Sequence, residues 1–147
     1  MYVIVCSRLD IASQNIKDNL LRITDWDEID LGNDEVIEST WVREDVCIVD
    51  VKDDLTNLNG IDRKLSGFHV DSLIFASRHK SDTSGKIFTT HFTGAYGSSL
   101  CVPSPHLMRT ILLNLMRYAQ ESEWKVVMEA THHGPTEVDI PLVFVEI

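Results

Sequence analysis

The strongest constraint on the fold is a set of short, uninterrupted apolar segments, each bounded by polar residues. They occupy residues 2–6, 46–49, 73–76 and 142–145. Apolar runs of this length are typical of strands that are buried on both faces of a sheet. Between them, apolar residues recur at helical spacing, for example Ile16 and Leu20 after the predicted N-cap Asp10. Strands that alternate with helices predict an α/β fold, with a mostly parallel mixed sheet in a three-layer α/β/α arrangement.

Weaker patterns predict the remaining elements. Two strands are expected at residues 36–42 and 46–51, on either side of the charged residues 43–45, and further strands at 87–92 and 126–128. Ser104 and Pro105 predict a helix start, with the serine as its cap and the proline in its first turn. Residues 26–34 are rich in turn formers, and residues 55–67 are compatible with a short helix. No repeat or linker divides residues 1–147, so we expect a single α/β domain.

The composition is that of a folded, acidic protein. Hydrophobic residues make up 44% of the 147 residues and the formal net charge is −10, which argues against broad binding to nucleic acid and against a DNA partner. No apolar run approaches the roughly 20 residues of a membrane-spanning helix, and the apolar start lacks a basic leader, so we expect no membrane partner and no signal peptide. Cys6, Cys47 and Cys101 are far apart and odd in number, which favours reduced thiols and a cytoplasmic location. A monomer is expected.

Histidine-bearing segments follow two of the predicted strands. His79 comes shortly after the strand at 73–76, and His132 and His133 follow the strand that begins at residue 126. In α/β sheets, ligands bind beyond the carboxyl ends of parallel strands. If these two strands are parallel, both histidine segments emerge at the same edge of the sheet. We therefore expect a histidine cluster at that edge, with His91 as a further member.

The predicted cluster is suited to zinc, because a catalytic zinc ion takes three protein ligands from His, Asp or Glu and keeps one position for water. The candidate metal ligands are His79, His91, His132 and His133, and the carboxylates that could act as ligands or bases are Glu129, Glu137, Asp139 and Glu146. Gly134-Pro135 supplies the turn that adjacent histidines need in order to converge. The spacing alone leaves the metal open, since no HExxH motif is present and loop histidines are usually solvated. His69 and His106 are expected at the surface.

Basic residues flank His79 in the same polar segment. Arg78 and Lys80 are the best candidates for a phosphate contact, and simple solvation is the alternative. A serine hydrolase is disfavoured, because no GxSxG elbow accompanies any of the serines.

Three segments, taken in order, resemble motifs of the archaeal and plant D-aminoacyl-tRNA deacylase family. They are CSRLDIASQNI from residue 6, SRHKSD from residue 77 with TTHFTGAYG from residue 89, and THHGPTEVDIPLVFVEI from residue 131. The resemblance covers essentially the whole chain. It implies a phosphorylase/hydrolase-like fold, a zinc cofactor, and hydrolysis of the ester that joins a D-amino acid to the 3′ acceptor end of tRNA. Family members normally continue beyond FVEI, so the chain is expected to be the N-terminal part of a longer deacylase.

The resemblance and the chemistry together assign roles to named residues. The expected catalytic residues are His132, His133, Glu137 and Asp139, and the expected substrate-binding residues are Ser7, Asp10, Arg78, Lys80, Thr93 and Gly94. Ser81 matches a family position as well. Two other functions stay open: a non-catalytic domain that binds RNA ends or a partner, and a nucleoside or peptide hydrolase or phosphorylase of the same fold.

Overall fold

A computed structural model describes residues 1–32, 34–80, 85–95 and 99–147; Ser81 lies outside these ranges. The strands are β1 (Tyr2–Ser7), β2 (Asp27–Ile29), β3 (Ile37–Arg43), β4 (Val46–Val51), β5 (Ser72–Ser77), β6 (Ile87–His91), β7 (Lys125–Met128) and β8 (Leu142–Glu146). The helices are α1 (Ile11–Ile23), α2 (Ile61–Lys64) and α3 (Pro105–Ala119), with a 3₁₀ turn at Leu55–Asn57. The predicted strands and helices are therefore present within a few residues of their expected bounds.

The described strands form one mixed sheet of eight strands in the order β2-β3-β4-β1-β5-β8-β6-β7. The central strands β4, β1, β5 and β8 are mutually parallel. Strand β6 is antiparallel to β8, and β7 is parallel to β6. Strands β5 and β7 therefore run in opposite directions, and the expectation that they are parallel was wrong.

Helical layers cover both faces of the sheet, as predicted. On one face, Ile16 and Leu20 of α1 pack against a buried cluster that contains Cys6 and Ile48, and α3 lies against β6 and β7 on the same side. On the other face, the 3₁₀ turn and α2 cover the main core with side chains such as Ile61. This second layer is thin, because α2 is only four residues long. A polar cavity lies beside it, as described below.

The cap predicted for α1 is present, whereas the cap predicted for α3 is not. The Asp10 carboxylate accepts hydrogen bonds from the backbone N–H groups of Ala12 and Ser13 at 2.9 and 3.2 Å, so it caps α1 as predicted. Pro105 begins α3, but the Ser104 side chain makes no capping hydrogen bond, and that detail was wrong. Strand β2, which was not predicted, lies inside the segment 26–34 that is rich in turn formers.

The three cysteines are buried and free, as reduced thiols require. Among the described residues, no helix has the length and apolar character that crossing a membrane would need.

Candidate active site

The candidate site lies over the sheet face that carries the main core, where antiparallel β6 meets β8. The register places Thr89 opposite Glu146 and His91 opposite Phe144, so these four side chains share one face. Ser77 at the end of β5 is the neighbour of Glu146 on the other side, and its hydroxyl donates to Glu146 Oε1 at 3.0 Å. Thr89, His91 and Glu146 are all buried. The sheet thus supplies a rigid polar floor.

Three histidines meet on this floor and form the first cluster, His91, His132 and His133. Ring centroids lie 4.1 Å apart for His91 and His132, 4.8 Å for His91 and His133, and 4.5 Å for His132 and His133. One ring nitrogen from each lies within 4.8 Å of the others. His91 is held by β6, whereas His132 and His133 reach it from the segment after β7, which pairs with Thr93 at His132.

Backbone carbonyls fix the same tautomer in all three rings. Nδ1 lies 3.0 Å from the Phe92 carbonyl in His91, 2.7 Å from the Ala130 carbonyl in His132 and 2.7 Å from the Gly134 carbonyl in His133. A carbonyl only accepts, so Nδ1 carries the proton and Nε2 is left with its lone pair. Metal-binding histidines are typically oriented in this way: one ring nitrogen donates a hydrogen bond to a carbonyl or carboxylate, and the other binds the metal. Burial, with a smaller effect of the two neighbouring rings, lowers the pKa of His133 and favours this neutral form.

A second cluster consists of His79, Glu129 and Glu146, whose ligand atoms also lie within 4.8 Å of one another. His79 Nδ1 is 3.0 Å from Glu146 Oε2 and 3.8 Å from Glu129 Oε2. The Thr89 hydroxyl donates to Glu146 Oε2 at 3.0 Å. Burial by itself raises the pKa of Glu146, but the facing His91 and His79 and the Thr89 hydroxyl outweigh it and lower the pKa to about 2. Glu146 is therefore ionised at neutral pH.

The two clusters are joined through Glu146. Its Oε1 lies 3.6 Å from His91 Nε2, and that buried nitrogen has no hydrogen-bond partner among the described residues. Glu129 Oε2 is likewise buried and unpartnered within this part of the chain. A neutral Nε2 and a carboxylate oxygen each present a lone pair, so their approach is favourable only when a proton or a cation lies between them. The imidazole nitrogen and the carboxylate oxygens of these two clusters are therefore suited to binding a cation.

A cavity of about 250 Å³ opens above these groups. Its described lining comprises Ser7, Leu9, Asp10, Asp54, Leu55, Thr56, Ser77, Arg78, His79, Lys80, Glu129, His132, His133, Phe144 and Glu146. Arg78 and Lys80 are exposed at its rim. Carboxylates and imidazoles thus lie inside the cavity and two cations at its mouth, an arrangement that suits a ligand with both a reactive group and a phosphate.

The two predicted catalytic carboxylates after the histidine pair do not reach this cavity. Glu137 is exposed, and its backbone, rather than its side chain, is bound by Asn59. The Asp139 carboxylate lies 3.6 Å from the guanidinium of Arg63 at the surface. The geometry therefore gives no support to the catalytic roles predicted for Glu137 and Asp139. The chain leads away from the cavity after Pro135. The carboxylates that lie beside the histidines are instead Glu129 and Glu146, which were also among the four candidates from the sequence.

Two of the predicted substrate-binding residues line the cavity with their polar atoms already engaged. The Ser7 hydroxyl donates to the Asp53 carbonyl at 2.6 Å. Asp10 uses one carboxylate oxygen for the helix cap, and the other accepts the Arg78 N–H at 2.7 Å. Both residues thus position the loops around the cavity.

Thr93 and Gly94 hold the histidine segment in place from below. The buried Thr93 hydroxyl donates to the Pro135 carbonyl at 2.5 Å, and the Gly94 N–H donates to the His133 carbonyl at 2.9 Å. A Cβ atom at Gly94 would meet Leu100 Cδ2 at 2.5 Å and Thr131 Cγ2 at 2.8 Å, so a larger residue there would require both side chains to shift. Neither residue lines the cavity above the floor.

The turn predicted after the histidine pair is present. His133 adopts a positive φ of 42°, which is uncommon for a non-glycine residue and marks a locally strained backbone, and the Gly134-Pro135 peptide is cis. His69 and His106 are exposed and take no part in either cluster, as expected.

The fold has the architecture of nucleoside phosphorylases and hydrolases. A putative 5′-methylthioadenosine/S-adenosylhomocysteine nucleosidase from Borrelia burgdorferi superposes with a TM-score of 0.56 at 9% identity, over 99% of this chain and 84% of that chain. At that identity the likeness concerns the fold only. It confirms the predicted fold type.

Closer likenesses identify the family. A family model described as D-aminoacyl-tRNA deacylase matches residues 66–147, and the chain belongs to that family. A D-aminoacyl-tRNA deacylase from Methanococcoides burtonii is 38% identical over 99% of this chain and 33% of its own length. The crystal structure of a conserved protein of unknown function is also 38% identical, with a TM-score of 0.88 over 100% of this chain and 54% of that chain. The chain thus spans between a third and about half of the length of these relatives.

Proposed function

We propose that this chain carries the catalytic centre of a D-aminoacyl-tRNA deacylase, which hydrolyses the ester between a D-amino acid and the 3′ end of tRNA. The observation that carries the proposal is the pair of joined clusters, with the buried and unpartnered His91 Nε2 facing Glu146, in a chain of this family. Ester hydrolysis requires an activated water, a base and a binding site for the leaving group, and the cavity offers a candidate for each.

Zinc is the cation that we propose for this centre. His91, His132 and His133 would hold it, since their Nε2 lone pairs are free and three imidazoles are an established ligand set for catalytic zinc. His79, expected to be a fourth ligand, belongs instead to the cluster with Glu129 and Glu146. When bound, zinc supplies a nucleophile at neutral pH by lowering the pKa of water to around 7.

The side chains around the clusters have distinct proposed roles. Glu146 is ionised and lies 3.0 Å from His79 Nδ1, so it orients His79, which accepts a proton from the attacking water and releases it towards the cavity. Arg78 and Lys80 at the rim bind terminal phosphates of the acceptor end. The net charge of −10 restricts the contact to that end. We further propose a cytoplasmic, monomeric enzyme.

The test compares His133→Ala with His106→Ala, an exposed histidine outside both clusters. We expect the first variant to lose at least about 100-fold in deacylation of D-tyrosyl-tRNA and the second to stay within about twofold. A chelator should abolish turnover, added Zn²⁺ should restore it, and L-tyrosyl-tRNA should be a poor substrate.

Three results would contradict the proposal. Full activity of His133→Ala would place the chemistry elsewhere. Binding of RNA ends without turnover of D-tyrosyl-tRNA would support a non-catalytic domain instead, and cleavage of simple nucleosides alone would support a nucleosidase.

A further inference from the structure

A second cavity, of about 390 Å³, also borders the His132–His133 pair. Its described lining is Gly94, Ala95, Leu100, Thr131, His132 and His133. Only the two histidines are shared with the described lining of the first cavity. The histidine pair is therefore the border that the two cavities have in common.

The two cavities differ in chemical character. The first contains Glu129 and Glu146 inside and Arg78 and Lys80 at its mouth. The described lining of the second contains no carboxylate, lysine or arginine. Leu100 is the largest apolar side chain in this described lining, and it is 71% exposed. Apolar surface of this kind, next to a few polar groups, is typical of a pocket that binds an apolar group.

The geometry of an ester links the two cavities. The carbonyl carbon of an aminoacyl ester carries the ribose oxygen on one side and the α-carbon on the other. If the carbonyl lies at the histidine pair and the phosphates lie at the Arg78–Lys80 rim, the α-carbon is directed away from that rim. The second cavity borders the same histidine pair, and Arg78 and Lys80 are absent from its described lining.

We propose that the second cavity binds the side chain of the amino acid, and that Leu100 determines which side chains are accepted. The inference rests on the proposed function and deepens it.

The test uses one tRNA body charged with D-alanine or with D-phenylalanine. Leu100→Trp fills the cavity and Leu100→Ala removes its apolar wall, so both should lower the ratio of kcat/KM for D-phenylalanine over D-alanine. We expect a fall of about tenfold or more for the tryptophan variant, a size typical of steric discrimination in apolar pockets. The matched control is Leu113→Trp, a partly exposed leucine on α3 that lines neither cavity.

The outcomes separate the two proposals. An unchanged ratio in both Leu100 variants, with deacylation intact and circular dichroism as in the parent, would overturn the side-chain assignment alone. A fall of the same size in Leu113→Trp would also overturn it. If the parent chain deacylates neither substrate, the proposed function fails and this inference fails with it.

Discussion

At the scale of single residues, the site depends on how backbone carbonyls orient the imidazoles. Each histidine of the first cluster donates its Nδ1 proton to a carbonyl no more than two residues away in sequence. The local turn therefore sets which nitrogen faces the cluster. This is why the positive φ of His133 and the close packing below Thr131 matter to the chemistry.

Gly94 provides the sharpest residue-level prediction. Gly94→Ala should lower the free energy of unfolding by about 1–3 kcal/mol, because its methyl group would overlap Leu100 and Thr131. Urea denaturation measures this change. The matched control is Gly67→Ala, since nothing lies within 4 Å of a methyl group at Gly67. Equal stability of the two variants would show that the packing below the histidine segment is not tight.

The histidines of the site could be predicted from the sequence, but which of the four candidate carboxylates join them could not. Catalytic roles were predicted for Glu137 and Asp139 because these residues follow His132 and His133 closely along the chain. Glu146 is distant in sequence, and only its register opposite Thr89 brings it to the floor. The sequence contained one signal for this position. Glu146 lies two residues after Phe144 in the last strand, so the two side chains are on the same face of the sheet.

At the scale of elements, the reversal of β6 builds the site. The sequence predicted convergence at one sheet edge from two parallel strands, and that premise was wrong because β7 runs opposite to β5. Convergence arises instead on the sheet face. Strand β6 places His91 beside β8, and the segment after β7 crosses the same face to reach it. Residue patterns show that a strand exists, but pairing direction depends on contacts between distant segments.

The short strand β2 at the edge of the sheet was also not predicted from the sequence. Strand β2 has only three residues, two of them exposed acids, so no alternating apolar pattern distinguishes it from a turn. Longer elements such as α1 and β4, with strong periodicity or a continuous apolar run, were predicted correctly.

The start of α1 also fixes a wall of the cavity, because Asp10 binds both the helix N-terminus and the Arg78 N–H. Asp10→Ala should lower the free energy of unfolding by about 1–2 kcal/mol, and Asp10→Asn by less, since asparagine is an equally good cap. Thermal unfolding measures this change. Asp18→Ala on the exposed side of the same helix is the control, and an equal loss in that variant would argue against the capping role.

At the scale of the whole molecule, the two faces of the sheet serve different purposes. One face is covered by the longer helices α1 and α3. The other carries the main apolar core under the 3₁₀ turn and α2, and next to that core a polar floor of threonine, histidine and glutamate. A polar floor beside a dense apolar core is held rigidly, as a preorganised catalytic site requires.

The central claim is that Glu146, on this floor, is the carboxylate on which catalysis depends. The most direct test is the kcat/KM for D-aminoacyl-tRNA of two isosteric variants, Glu146→Gln and Glu137→Gln. We predict a loss of about 100-fold or more for the first and at most about twofold for the second, because Glu146 contacts the histidines and Glu137 does not. Wild-type turnover in Glu146→Gln, or a comparable loss in Glu137→Gln, would contradict the claim.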